Sequence, residues 1–229
     1  MISRKRFCTP SLIFSSFCGL LLLTSCGPGP TQSMFNNEGS AIGNELGDVL
    51  REREPRLKVL VMTRPGLKVS PLDDAEKAII QGIEKALGRN VKTAEIVPSQ
   101  DFEAKVKKQN LAGKERKMAL QFEYQTYVSG FPLADLISFM ETHKSKADVI
   151  VNMMGTPHGL TVENFPQEPG LPGLVIINSK VNEALTFLNH QKGWAYHVVR
   201  PQNPLPANPD IQSVNVGRFS TILYPTSTN

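Results

Sequence analysis

Between Leu57 and Val97 the chain sets down a short apolar run, an amphipathic stretch with legible ends, and a second strand-like run. Leu57, Val59, Leu60, Val61 and Met62 are apolar without alternation, as in a strand buried on both faces. Leu72, Ala75, Ile79, Ile80, Ile83 and Leu87 then recur at helical spacing and make one apolar face. Ser70 and Asp73 form a capping-box-like pair, Pro71 takes the first helical position, and Asp74 complements the positive end of the helix dipole. Gly88 supplies a left-handed stop, and Val91 to Val97 returns as a strand. The segment reads as a βαβ unit, whose two strands lie parallel in one sheet.

The same alternation of elements continues. After Pro98 and Ser99 a lysine-rich stretch predicts two helices divided near Ala112 and Gly113, with the charges on a solvated face. Leu133, Leu136, Ile137 and Met140 predict a further amphipathic helix, and Ala147 to Met153 another buried strand. Leu174 to Ile177 repeats that signature, Val181 to Leu188 reads as a helix, and Ala195 to Val199 as a strand with Trp194 and Tyr196 on one side. The connection from Pro201 to Pro209 holds four prolines and no helix, so the last strand, near Phe219 to Leu223, is expected as an antiparallel edge. The expected fold of 57–229 is therefore a single α/β domain: a three-layer, Rossmann-like, mostly parallel sheet with helices on both faces and an antiparallel C-terminal edge strand.

The amino terminus carries an address. Arg4, Lys5 and Arg6 precede an apolar run ending in Leu20, Leu21 and Leu22, and Leu23-Thr24-Ser25-Cys26 closes it. A basic start, a short apolar core and small residues before a cut describe an export signal. With Cys at the cut, this string resembles the lipobox of bacterial lipoproteins. The resemblance implies a signal peptide over 1–25, a diacylglycerol on the Cys26 sulfur, and usually an acylated (palmitate-type) amino group on the same residue. It places the protein on the bacterial cell envelope, lipid-anchored and facing the periplasm. Gly27 stands where Asp would favour inner-membrane retention under the enterobacterial sorting rule, which leans towards the outer membrane. Ser15, Ser16 and Thr24 interrupt the apolar stretch, which is short against the roughly 20 residues of a spanning helix.

Removal of 1–25 changes the composition that matters. Three of the cations behind the net charge of +4 lie in that segment and no acid does, so the mature chain carries +1. It shows no basic stripe with interleaved aromatics, which excludes a nucleic-acid partner. Cys8 and Cys18 leave with the signal, so neither a disulfide nor a thiolate metal site is available. The stretch 26–56 opens Gly-Pro-Gly-Pro after Cys26 and continues through Gly39, Gly43 and Gly47. It is expected to be a flexible tether spanning roughly 30 Å. A short helix from Ala41 to Arg51 is the alternative within it, with its intrinsic propensity lowered by Gly43 and Gly47.

In an open doubly wound sheet, ligands collect beyond the carboxyl ends of the strands. The loops expected there carry Arg64 after the first strand, Ser99 after the second, Thr156 and His158 after the third, and Asn178 and Ser179 after the fourth. Such a rim suits a small polar or anionic ligand, with Arg64 as its charge partner and backbone amides as donors. Gly155-Thr156-Pro157-His158-Gly159 is the richest loop, because its glycines allow close approach of the backbone; a turn with a solvent-facing His is the plainer reading. Neither a P-loop nor a dinucleotide fingerprint is present, nor a Gly-x-Ser-x-Gly elbow. His143, His190 and His197 show no zinc-site spacing, so neither a metal nor a cofactor is implied.

The arrangement from Leu57 to about Arg200 resembles one lobe of type I periplasmic binding proteins, in architecture and not in motif. Those proteins close two lobes on a ligand, and this chain is long enough for one. Function is thus expected to be a non-catalytic binding or assembly module, recognising a small ligand or another envelope protein. The alternatives are an envelope hydrolase using His158 and Arg64, and a structural adaptor of a secretion or cell-wall complex.

Overall fold

A computed structural model describes residues 30–164, 166, 170–190, 195–199, 205, 207–216 and 220–226. Cys26 and the segment before it, Trp194, Phe219 and most of 200–206 lie outside the described residues. The chain divides into 1–33, of which little is described, and a unit from Met34 to Asn229 that holds the whole sheet.

Five strands run parallel: β1 (Val59–Thr63), β2 (Val91–Glu95), β3 (Val149–Asn152), β4 (Gly173–Ser179) and β5 (Ala195–Val199). β6 (Ile211–Val216) and β7 (Ser220–Pro225) are antiparallel additions, giving the order β2-β1-β3-β4-β5-β7-β6. The fold is the Rossmann-like α/β sheet expected from the sequence, with one difference at its end. The last strand is not the edge. β7 pairs with β5, and β6 covers β7 on the outside. Ile211 to Val216 mixes Gln212, Ser213 and Asn215 with its apolar residues because only one side of an edge strand meets the core.

Helices cover both faces. Val59, Val61, Val149, Val151, Val175 and Ile177 point towards α1 (Pro30–Arg53) and α2 (Asp74–Leu87). Leu60, Met62, Ile150, Leu174 and Ile176 point towards α3 (Phe102–Lys107), α4 (Gly113–Val128), α5 (Leu133–His143) and Phe187 of α6 (Val181–His190). The lysine-rich helices α3 and α4 join through Lys105–Glu123 and Arg116–Glu103 pairs at 2.6 and 2.8 Å, on a solvated surface.

α1 corrects the reading of 26–56 as a tether. Ile42, Leu46, Val49 and Leu50 repeat at helical spacing and are buried in the core. Gly39, Gly43 and Gly47 fall four residues apart along the side that meets α2. A Cβ on Gly39 would lie 2.5 Å from the Ala75 carbonyl oxygen, and one on Gly43 would strike the Ile79 carbonyl. Gly82 of α2 answers from the other side, where a Cβ would sit 2.5 Å from the backbone of α1. These glycines let two backbones touch, so they mark packing and not flexibility.

The α2 cap is also one turn later than expected. Asp73 is the N-cap, and its carboxylate accepts from the Glu76 N–H at 2.9 Å while Glu76 accepts from the Asp73 N–H at 2.8 Å. Ser70 and Pro71 precede the helix. Gly88 closes it with φ of 62°, as its sequence position predicts.

Candidate functional site

In a 2-1-3-4-5 sheet the strand order reverses between β1 and β3, and the carboxyl ends there are the expected place for a ligand. Four donors at this rim already hold a carboxylate of the protein. The Arg64 guanidinium donates to Glu76 at 2.8 Å and to the Pro71 carbonyl at 2.5 Å. The α2 amino terminus is filled by the Asp73–Glu76 box. The Gly66 N–H donates to Glu95 at 3.1 Å, and the Ser99 N–H to Asp135 at 3.2 Å.

The electrostatics follow from this closure. Burial raises the Glu76 pKa above the ordinary carboxylate value, and the Asp73 N–H and the Arg64 charge oppose that rise. Asp135 is buried and also accepts from the Tyr127 hydroxyl at 2.7 Å. Burial, then the bond to Asp135 and its charge, push the Tyr127 pKa up, so the phenol remains a proton donor. Asp73, Glu76, Glu95 and Asp135 are the residues that sequence reasoning missed at this rim. The Asp73-x-x-Glu76 spacing was the readable signal for the first two.

The six residues expected around one ligand are placed differently. Arg64 is half-buried and neutralised by Glu76. Ser99 contributes its backbone N–H to Asp135. Thr156 follows β3, with Asn152 shaping the turn before it: its amide donates to the Gly155 carbonyl at 2.7 Å and accepts from the Met154 N–H at 2.8 Å. The Thr156 hydroxyl and Arg64 Nε are buried at the switch point without a hydrogen-bond partner among the described residues. His158 is exposed, and its backbone is tied to Phe131 and Leu133. Asn178 is exposed at φ of 65°, a left-handed conformation that Asn tolerates, and its carbonyl lies near Gly155.

Ser179 is withdrawn from the rim. A bulge between Ile177 and Ser179 turns its hydroxyl into the protein, 2.9 Å from His197 Nδ1 and 3.3 Å from the Ile176 carbonyl. His197 is fully buried, stacked on Phe187 with centroids 5.9 Å apart, and its Nε2 has no partner among the described residues. Burial lowers its pKa to about 3. A nucleophile needs a base that a substrate can reach and a third group that orients it. This Ser–His pair lies inside the packing between β5 and α6, and serves as a structural polar contact.

Two cavities are lined by other residues. One of about 430 Å³ lies among Leu185, Leu205, Ile211 and Leu223, between α6 and the antiparallel strands. The other, of about 370 Å³, lies at the amino ends of β1 and β2. None of the six residues named above lines either one. Among the described residues no three His, Cys, Asp or Glu side chains come together as metal ligands, and no helix is long and apolar enough to cross a membrane.

Fold and site together define a doubly wound α/β domain whose strand-end rim is closed by its own acidic side chains. No protein-family model matches the chain, and no curated protein is similar to it. Among solved structures it is similar to a crystal structure of a protein from Mycobacterium smegmatis, at 16% identity over 73% of this chain and 48% of that one, with a TM-score of 0.39. The chain thus spans about half the length of that protein.

Proposed function

We propose that this is a lipid-anchored protein of the bacterial envelope whose α/β domain is a non-catalytic binding or assembly module. The string Leu23-Thr24-Ser25-Cys26 behind a basic, apolar leader carries the reading. Two or more acyl chains hold a protein stably at a bilayer, whereas one does so only marginally. The internal pairing of Asp135 and Ser179 withdraws both from reaction and so supports binding over catalysis. Exposed Met118 and Phe122, one turn apart on α4, favour the assembly branch of the same reading.

Cys26→Ala tests the anchor. The parent is expected in the membrane fraction, beginning at Cys26 and carrying acyl mass on that residue. The variant is expected uncleaved or released. A parent whose processed form shows a free sulfhydryl and an unmodified amino terminus refutes the proposal.

A further inference from the structure

Lys58, Arg89, Lys92 and Lys146 line the 370 Å³ cavity together with Asn90 and His143. They come from four segments: the residue before β1, the 3-10 turn after α2, β2 itself, and the turn after α5. Several surface cations pair with acids one turn away, as in Lys77–Asp74, Lys144–Glu141 and Lys180–Glu183. These four have none within 4.0 Å among the described residues. Asp148 accepts from the backbone N–H of Lys58 at 2.8 Å and makes no ion pair with its ammonium group.

The concentration of charge is large for this chain. The mature sequence sums to +1, so with four cations in one cavity everything else sums to −3. Like charges crowded around a concave surface repel one another and focus a positive field into it. Leu60 and Ala94 add apolar surface to the lining, and the volume falls in the range of small-molecule sites. Three ammonium groups and a guanidinium fork match the several oxygens of a phosphate-type anion.

We propose that this groove binds a small phosphate-bearing anion, with Arg89 and Lys92 as its principal contacts and Lys58 and Lys146 completing the positive wall. The acids that close the carboxyl-end rim leave this opposite end as the anion-receptive one. His143 adds a proton-linked element. Burial and the Lys146 charge hold its pKa below the ordinary value. The charged groups around it in the groove, Lys58, Arg89, Lys92 and Lys146, are all positive, so a bound anion reverses the field it feels and draws a proton onto it. Affinity therefore rises as pH falls through the His143 titration.

The test uses the full-length protein as the cell processes it, purified in neutral detergent at low ionic strength, with inorganic pyrophosphate followed by calorimetry. Saturable binding at one site per chain is expected. Arg89→Gln with Lys92→Gln should weaken it about tenfold or more, while Lys114→Gln with Lys117→Gln, an equal charge loss on α4, should leave it within about twofold. All four side chains are exposed, so neither pair disturbs the core. Equal weakening in both pairs, or no saturable binding, overturns the proposal. Vesicles of phosphatidylglycerol against phosphatidylcholine separate the sources of the phosphate. Capture by the former, lost in the Arg89/Lys92 variant and competed by pyrophosphate, identifies a headgroup; pyrophosphate binding without capture identifies a free phosphorylated compound.

Discussion

His197 makes stability depend on pH in a calculable way. It is fully buried on β5, with Ser179 at 2.9 Å on Nδ1, Phe187 stacked on its face and no partner at Nε2. Burial alone lowers its pKa from 6.5 to about 3. Above pH 6.5 both folded and unfolded chains carry the neutral ring, and the residue contributes no pH dependence. Below it the unfolded chain takes a proton that the folded one refuses, so stability falls as pH falls, until the folded pKa is reached. The slope is about 1.4 kcal/mol per pH unit. Between about pH 7.5 and about pH 4.5 this sums to about 2.7 kcal/mol, since titration begins near 6.5. His197→Asn keeps a polar group near Ser179 and removes the titration. Urea unfolding of parent and variant across that range is the assay. The variant starts less stable at pH 7.5, but the gap should narrow by about 2.7 kcal/mol at the acid end. All other titrating groups are shared and cancel in the difference. Curves that stay parallel refute the reasoning, because they mean that the folded protein protonates His197 as easily as the unfolded one.

Two substitutions test the corrected helices. Gly43→Ala places a methyl against the Ile79 backbone and should destabilise by about 1–3 kcal/mol in thermal or urea unfolding, whereas in an unpacked helix it would stabilise by up to about 1 kcal/mol. Asp73→Ala should lose about 1 kcal/mol with the cap, and Ser70→Ala less than about 0.5 kcal/mol, so the same unfolding measurement locates the helix start.

The strands of the parallel sheet were readable because Val59 to Met62, Val149 to Val151 and Leu174 to Ile177 are buried on both faces, and such burial leaves an unbroken apolar run. α1 was not readable from composition. Gly39, Gly43 and Gly47 count as flexibility when residues are tallied, but their spacing of four is a packing signal that acquires meaning only beside Gly82 of the partner helix. β6 escaped because an edge strand needs polar residues on its open side.

The acids found at the expected rim are set there by the register of β1 and β2. The rule that ligands gather at the carboxyl ends of parallel strands rests on free N–H donors there. Pairing Thr63 with Glu95 sets an acid beside the β1 loop, where it takes the Gly66 N–H, and Glu76 and Asp135 take the donors on either side. The same register pairs Val59 with Val91 at the other end, which gathers Lys58, Arg89 and Lys92 around one hollow, and α5 delivers Lys146 to it. Acids accumulate at one end of the strand pair and unpaired cations at the other. The rule's physical basis therefore argues against its usual location in this chain and directs an anion to the amino end of the sheet.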